Sequence, residues 1–447
     1  MITAITNVFV TIYQRLALWA EALCALGYLA VGGAKAFVSG GIAPFFLKAS
    51  TQRRAFAFLR GFIPNISLNR VLMKCYDNTG TAIVTRRDDV IDVLNRNEDF
   101  EVVYGTRMRK LTEGDNFFLG MQPGWDYTRD TSAMRLAARM TDVAEIVQPR
   151  AAERADAIVA ASGGQIDIVP ALTLEVPWDM TNTYFGCGAT RDRMQDWTTT
   201  LFWYLFQDLG ADPTKDATAL AKAAELRDYL DAHIADRKAN PTDHPDILNR
   251  CLALQSADTP GMSDLGIRNN ILGLLIGAIP TISKASCLAL DELLNRPDAL
   301  ATAQKAAREG DDALLAQHCW EALRFNPFNP VIYRRAVHDT DVAPNTLRRA
   351  RIREGQIVFA SNFSACFDRF RVPDPNSFRT DRPWETYMIW GYGMHNCFGD
   401  QINQAVIPAI LKPLLRQKGL RRAPGDAGQI APGEFGFPAH FHIEFDT

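Results

Sequence analysis

Residues 390–399 read Trp390-Gly391-Tyr392-Gly393-Met394-His395-Asn396-Cys397-Phe398-Gly399, and a helical stretch, DQINQAVIPAILKPLL, follows directly. Gly391 and Gly393 precede the cysteine by six and four residues and permit a tight turn, while Gly399 lets the next helix approach a flat object closely. Cys397 is thereby held out of a rigid loop at a helix N-terminus, where exposed N–H groups and the positive dipole end favour the thiolate. A thiolate held in this way is a good iron ligand. The other cysteines, at 24, 75, 187, 251, 287, 319 and 366, form no C-x-x-C pair with it or with each other, which argues against a zinc knuckle. A chain of 447 residues has no need of disulfide staples, so free, mostly buried thiols in a reducing compartment are expected.

The loop resembles the cysteine-ligand loop of the cytochrome P450 family, F-G-x-G-x-[HR]-x-C-x-G, with Trp390 in place of the phenylalanine. The resemblance implies heme b as cofactor, Cys397 as its proximal iron ligand, His395 at a propionate, and Trp390, Gly391, Gly393 and Gly399 around the group. A thiolate pushes electron density onto iron and favours O–O cleavage more than neutral histidine or methionine does. Other family motifs follow in the same chain order. Trp125 and Arg129 share a helical face at i,i+4 and resemble the W-x-x-x-R helix whose residues contact a propionate. Arg334 matches another position that commonly meets one, a task suited to arginine's planar donors. Glu321 and Arg324 lie three apart on one helical face; alone such a pair contributes about 0.2 to 0.5 kcal/mol. Followed by a proline-rich run and by Arg382 in DPNSFRTDRP, they resemble the family's Glu-Arg-Arg network, which implies a structural role under the cysteine loop. The resemblance runs from roughly residue 60 to the end.

The pattern breaks on the central helix. Residues 271–290 fall where the family carries [AG]-G-x-[DE]-T over the distal heme face, and here the run is Gly277-Ala278-Ile279-Pro280-Thr281. Thr281 and Pro280 occupy the catalytic positions, but proline cannot relay the protons that the acid–alcohol pair delivers to iron-bound dioxygen. Proline also removes a helical hydrogen bond and frees the Ile276 carbonyl, which predicts a kink or opening there. The resemblance implies first a monooxygenase, inserting one oxygen atom from O2 into a lipophilic molecule with electrons from a ferredoxin and reductase. A hydrogen peroxide-dependent peroxygenase and an isomerase or dehydratase of a pre-oxidised substrate are the alternatives, and a heme-binding sensor is the non-enzyme reading. The family's fatty-acid peroxygenases carry Arg-Pro on this helix; this chain has Ile279-Pro280. Basic clusters at Arg348, Arg349, Arg351 and Arg353, and at Lys412, Arg416 and Lys418, offer a docking surface for an acidic partner, with solvated surface as the plainer reading.

The elements that must carry these residues are mainly helical. Residues 135–325 have few glycines and apolar residues at three and four spacing, with helices predicted over 190–209 and 216–238. A hairpin is predicted within 70–90 through Asp77, Asn78 and Gly80, and residues 331–362 and 433–445 alternate like strands, giving a small sheet assembled from both chain ends. The expected fold is thus mainly α with a small β region, P450-like, as a single heme domain over 51–447 behind an N-terminal extension over 1–50. Tyr104, Met108, Phe117, Phe118, Gly277, Ala278, Phe328, Val331 and Phe437 are the candidate pocket lining, favouring an enzyme over a sensor. Lysine plus arginine total 48 and aspartate plus glutamate 51, so the global charge carries no signature for nucleic acid. Residues 16–34 form an apolar stretch broken only by Glu21, about a bilayer span in length but rich in alanine and glycine. A packed or interfacial helix is expected, stopped by Gly32, Gly33, Gly40, Gly41 and Pro44, in a cytoplasmic protein that touches membrane at most peripherally.

Overall fold

The structure, a computed structural model, describes residues 2–115 and 117–446. The chain forms two compact units, Met1–Glu101 with Leu323–Cys397, and Val102–Ala322 with Phe398–Thr447.

The first unit is built on a five-stranded sheet in the order Asn65–Leu68, Thr81–Val84, Ile357–Ala360, Ile332–Ala336, Phe100–Glu101. Thr81–Val84 and Ile357–Ala360 run parallel; the other pairs are antiparallel. Their apolar side chains close on the helix Arg87–Asn95 around Val84, Val90, Leu94, Phe100, Val358 and Phe363. The predicted hairpin is present but wider: its first strand is Asn65–Leu68, upstream of the expected start. The Asp77–Gly80 turn folds back on that strand, with Asn78 donating to the Met73 and Tyr76 carbonyls at 2.7 and 2.8 Å. Gly80 approaches so closely that a Cβ there would lie 2.5 Å from the Leu68 carbonyl oxygen.

The N-terminal helix Ile2–Val38 passes through Gly32 and Gly33 and stops at Gly40, whose φ is +71°. Leu18, Ala22 and Ala25 form its buried face, packed on the helix Ala49–Phe62, where Gly61 leaves room that a Cβ would lose by coming 2.4 Å from Ala22. Glu21 lies beside that face and pairs with Arg60 at 3.5 Å and Arg369 at 3.4 Å. The opposite face is apolar and open: Tyr13, Leu16, Trp19 and Leu23 are each at least half exposed.

Helices dominate the second unit. Arg191–Phe206 and Pro213–Ala239 match the predicted pair, the latter capped by Asp212, whose carboxylate accepts from the Thr214 N–H at 2.9 Å. Both pack on the central helix, Asp264–Leu294, which Ser263 caps through the Gly266 N–H at 3.1 Å. The expected opening at Pro280 does not occur: the helix continues through it to Leu294. Proline deletes one rung only, and burial of the flanking turns, including Ile276, Ile279 and Ile282, holds the rest. The C-terminal strands do not join the five-stranded sheet. His442–Glu444 pairs instead with Gln165–Asp167 and Arg421–Arg422 in a separate three-stranded sheet. Two helical stretches, Thr11–Val38 and Asp264–Leu294, are long and apolar enough to cross a membrane; the second is mostly buried in the protein.

Candidate functional site

In the first unit the cysteine loop is wound tightly. Gly391 and Gly393 adopt φ of +101° and +70°, in the left-handed region where a side chain is strained. Gly393 also sits against the end of the helix Arg87–Asn95; a Cβ would lie 3.1 Å from Asn95 Oδ1 and 3.3 Å from the Leu94 carbonyl oxygen. His395 closes a short 3-10 turn, and the Cys397 N–H donates to the Trp390 carbonyl at 2.8 Å, so the loop fastens itself just before its cysteine. Trp390 stacks on Trp384 at 5.4 Å. Upstream, Asn362 donates to the Met388 carbonyl at 2.9 Å, and Cys366 Sγ accepts from the Met388 N–H at 3.4 Å. Cys397 is half-buried, unlike Cys187, Cys251, Cys287, Cys319 and Cys366, which are fully buried. Burial pushes the Cys251, Cys287 and Cys319 thiols up to about 12, which keeps them inert.

Arg324 and Arg382 converge beneath this loop's support. Arg324 donates to the carbonyls of Cys366, Pro375 and Ser377 at 3.2, 2.8 and 3.3 Å, and Arg382 to those of Pro373, Asp374 and Ser377 at 2.7, 2.8 and 2.8 Å. Two guanidinium groups thus pin residues 373–377, sharing the Ser377 carbonyl. Glu321, three residues before Arg324 on the helix Asp312–Phe325, is fully buried. Arg334 stands on the strand Ile332–Ala336, fully buried, with Nη1 donating to the Tyr333 carbonyl at 2.9 Å. Phe328 and Val331 are half-buried in the segment between that helix and strand.

In the second unit, Leu274, Gly277, Thr281 and Lys284 recur at three and four residues and form a partly exposed stripe along residues 267–287 of the central helix, a stretch that is otherwise buried, Ala278 and Pro280 included. A Cβ on Gly277 would meet nothing within 4 Å, and the same holds at Gly399, which precedes the helix Asp400–Arg416. The Thr281 hydroxyl donates back to the Gly277 carbonyl and lies 3.2 Å from that of Ala278. Two expected lining residues, Tyr104 and Phe437, are joined through two further rings: Tyr104 on Phe206 at 4.8 Å, Phe206 on Phe202 at 4.6 Å, and Phe202 on Phe437 at 5.8 Å. Phe117 lies against the central helix at Gly273, where a Cβ would come within 2.4 Å of its ring, and Phe118 touches Phe117 at 5.4 Å. Met108 is buried in the short helix Gly105–Leu111. Trp125 and Arg129 share the first turns of Trp125–Ala137, but Trp125 is 69% exposed, and Arg129 bonds Asp126 at 2.9 Å and Asp130 at 2.7 Å.

Two residues of this unit escaped the sequence reading. Arg135 places its guanidinium 3.7 Å over the ring of Phe398, which also meets Phe118 at 5.0 Å; neither contact has a signal in local spacing. Lys284 extends the stripe by one turn past Thr281, with Nζ 3.4 Å from the Gly436 carbonyl and 5.1 Å over the Phe437 ring. Burial pulls its ammonium down to about 8. Helical spacing from Thr281 could have found it. The basic clusters are engaged within their own units: Arg348 with Asp89 at 3.0 Å, Arg349 with Asp341 at 3.1 Å, Arg351 with Asp339 at 3.4 Å, and Arg416 with Asp156 at 3.2 Å. Lys412 pairs with Asp312.

Comparison with known proteins places this geometry among relatives. The sequence model of the family described as Cytochrome P450 matches residues 72–427. Among curated proteins, Psi-producing oxygenase A of Emericella nidulans is 33% identical over 119 residues, covering 27% of this chain and 11% of that protein. Linoleate diol synthase of Gaeumannomyces graminis is 34% identical over 113 residues, covering 24% of this chain and 10% of the relative. A bifunctional dioxygenase–epoxy alcohol synthase of Pyricularia oryzae is 29% identical over 187 residues, 39% of this chain and 16% of that protein. The chain thus matches only a small part of the length of these curated relatives. Of solved structures, CalO2 superposes with a TM-score of 0.72 at 21% identity, covering 89% of this chain and 96% of that one. P450BioI, solved with a hexadec-9Z-enoic acid-ligated acyl carrier protein, superposes with a TM-score of 0.72 at 16% identity, covering 89% and 99%.

Proposed function

The chain belongs to the cytochrome P450 family, as a heme b oxidoreductase for a lipophilic substrate, and from that premise we propose that it rearranges a hydroperoxide of an unsaturated fatty-acyl chain. The observation that carries the reading is Pro280 in place of an acid, beside a Thr281 hydroxyl that donates back into its own helix. Activation of dioxygen needs two electrons and delivered protons. A hydroperoxide needs neither, because a diol or an epoxy alcohol has the same atoms and electrons as the hydroperoxide it comes from. The names linoleate diol synthase and dioxygenase–epoxy alcohol synthase, borne by two relatives, belong to that chemistry.

The residues fit a flat iron porphyrin. Within the first unit, Cys397 offers a half-buried sulfur from a loop locked by two left-handed glycines; within the second, a Cβ at Gly277 would meet open space. Heme bound through a thiolate supplies O–O bond cleavage. In this reading Cys397 is the ligand, Trp390, Gly391, Gly393 and Gly399 shape its surroundings, and His395 and Arg334 hold propionates. Arg129 is engaged by two carboxylates and Trp125 is largely exposed. The rings of Phe117, Phe202, Phe206 and Phe437 orient an apolar chain and exclude water, and Thr281 holds a proton within reach of the accessible stripe. The N-terminal helix belongs to the same proposal: its open apolar face, with Tyr13 and Trp19, rests on the membrane from which such a substrate comes.

Thr281, in place on the stripe, favours a second reading, the partner-driven monooxygenase, although the basic side chains expected to dock a ferredoxin are largely ion-paired. The test uses purified heme-loaded protein and linoleate hydroperoxide carrying heavy oxygen at both positions, with no reductase. An isomeric product retaining both labels is expected. Product formed only with ferredoxin, reductase and NAD(P)H under air would overturn the reading.

A further inference from the structure

We propose that Asp167, His440 and His442 form a divalent transition-metal site, best suited to zinc, on the three-stranded sheet of the second unit. Asp167 ends the strand Gln165–Asp167 and lies directly opposite His442 in the antiparallel register, so their side chains rise from the same face. His440 precedes His442 by two residues of extended chain and shares that face. The side chains converge accordingly. His440 Nδ1 lies 2.6 Å and His442 Nε2 3.6 Å from Asp167 Oδ2, and one donor atom from each residue falls within 4.8 Å of the others. The two imidazole rings are nearly parallel, 17° apart with centroids at 6.1 Å.

The carboxylate is aimed by the backbone. Asp167 Oδ1 accepts from the N–H groups of Phe441 at 2.9 Å and Val169 at 3.3 Å, which fixes the group and turns Oδ2 toward the histidines. Orientation of a ligand by such partners is what distinguishes a metal site from a chance encounter of side chains. Two imidazoles and one carboxylate suit zinc, copper(II) or nickel(II), and an exposed position leaves room for water to complete a tetrahedron. Metal would replace the hydrogen bond between His440 and Asp167 and tie the C-terminal strand to Gln165–Asp167. The same C-terminal segment carries Phe437, three residues before His440 and in ring contact with Phe202. The plainer alternative, a surface His–Asp hydrogen bond, contributes little and binds no metal.

Isothermal titration of the heme-loaded protein with zinc chloride separates the two. One equivalent is expected to bind to the wild type and to raise the melting temperature. His440→Ala and Asp167→Asn are each expected to weaken binding by at least about tenfold, the scale on which even outer-shell partners act. Absence of zinc binding by the wild type up to millimolar metal, or equal affinity in wild type and both variants, would overturn the proposal. The site does not depend on which substrate the heme centre takes.

Discussion

A cysteine proposed to bind iron and one that fills a core differ in their surroundings more than in their chemistry. Cys251, Cys287 and Cys319 are fully buried, and burial keeps the thiol protonated, whereas Cys397 is half-buried in a glycine-wound loop. Cys397→Ser is therefore expected to abolish the thiolate-type band of the reduced carbon monoxide complex, while Cys319→Ala retains it; difference spectra of the two variants check this. The loop was legible in sequence because left-handed backbone at Gly391 and Gly393 needs glycine, and glycine is visible. Helical spacing gives the position of Lys284 but not its character, which comes from neighbours distant in the chain. Its folded pKa of about 8 lies below the free value of 10.5, so between these pH values the unfolded chain binds the extra proton and stability rises with pH. At pH 7 that ammonium costs about 3 kcal/mol. Lys284→Met should remove the slope and stabilise the protein by an amount of that order, read from denaturant unfolding at pH 7 and pH 10.

Elements were legible where periodicity or capping governs them, as in the helices Arg191–Phe206 and Pro213–Ala239. The hairpin was displaced because its first strand is defined by a partner, Thr81–Val84, and not by its own alternation. The uninterrupted central helix shows packing overriding a proline, and it makes two predictions. Pro280→Ala restores one backbone donor and should raise stability by up to about 3 kcal/mol, measured by unfolding. Pro280→Glu should raise product formation with ferredoxin, reductase and NAD(P)H, if the acid is what dioxygen activation lacks; an unchanged rate would point away from proton delivery. Beneath the cysteine loop, Arg324→Ala would leave the carbonyls of Cys366, Pro375 and Ser377 without their fork. The expected loss is about 3 to 5 kcal/mol, with little rescue by lysine, which lacks the planar geometry.

For the whole molecule, composition and helical content indicated the fold class, and the sheet expected from both chain ends holds for its first two segments but not for residues 433–445. Residues 65–101 meet 332–360 in one sheet, while the C-terminal strands turn away to Gln165–Asp167. Which partner a strand takes depends on loop closure over hundreds of residues, and alternation alone does not separate the two sheets. Glu21 is the instructive single case: in the sequence it weakened the membrane reading, yet its ion pairs with Arg60 and Arg369 place it beside the packed face, so the opposite face carries no acid between Tyr13 and Leu23. Replacing Leu16 and Leu23 by aspartate is expected to lower flotation of the protein with anionic phospholipid vesicles.

That two-sided helix bears on how turnover should be counted. An enzyme resting on lipid by Tyr13, Leu16 and Trp19 meets a membrane-dissolved substrate by lateral diffusion, in two dimensions. Its saturation would then follow the mole fraction of substrate in the bilayer, and adding inert lipid at fixed total substrate would slow the reaction by dilution within the surface alone.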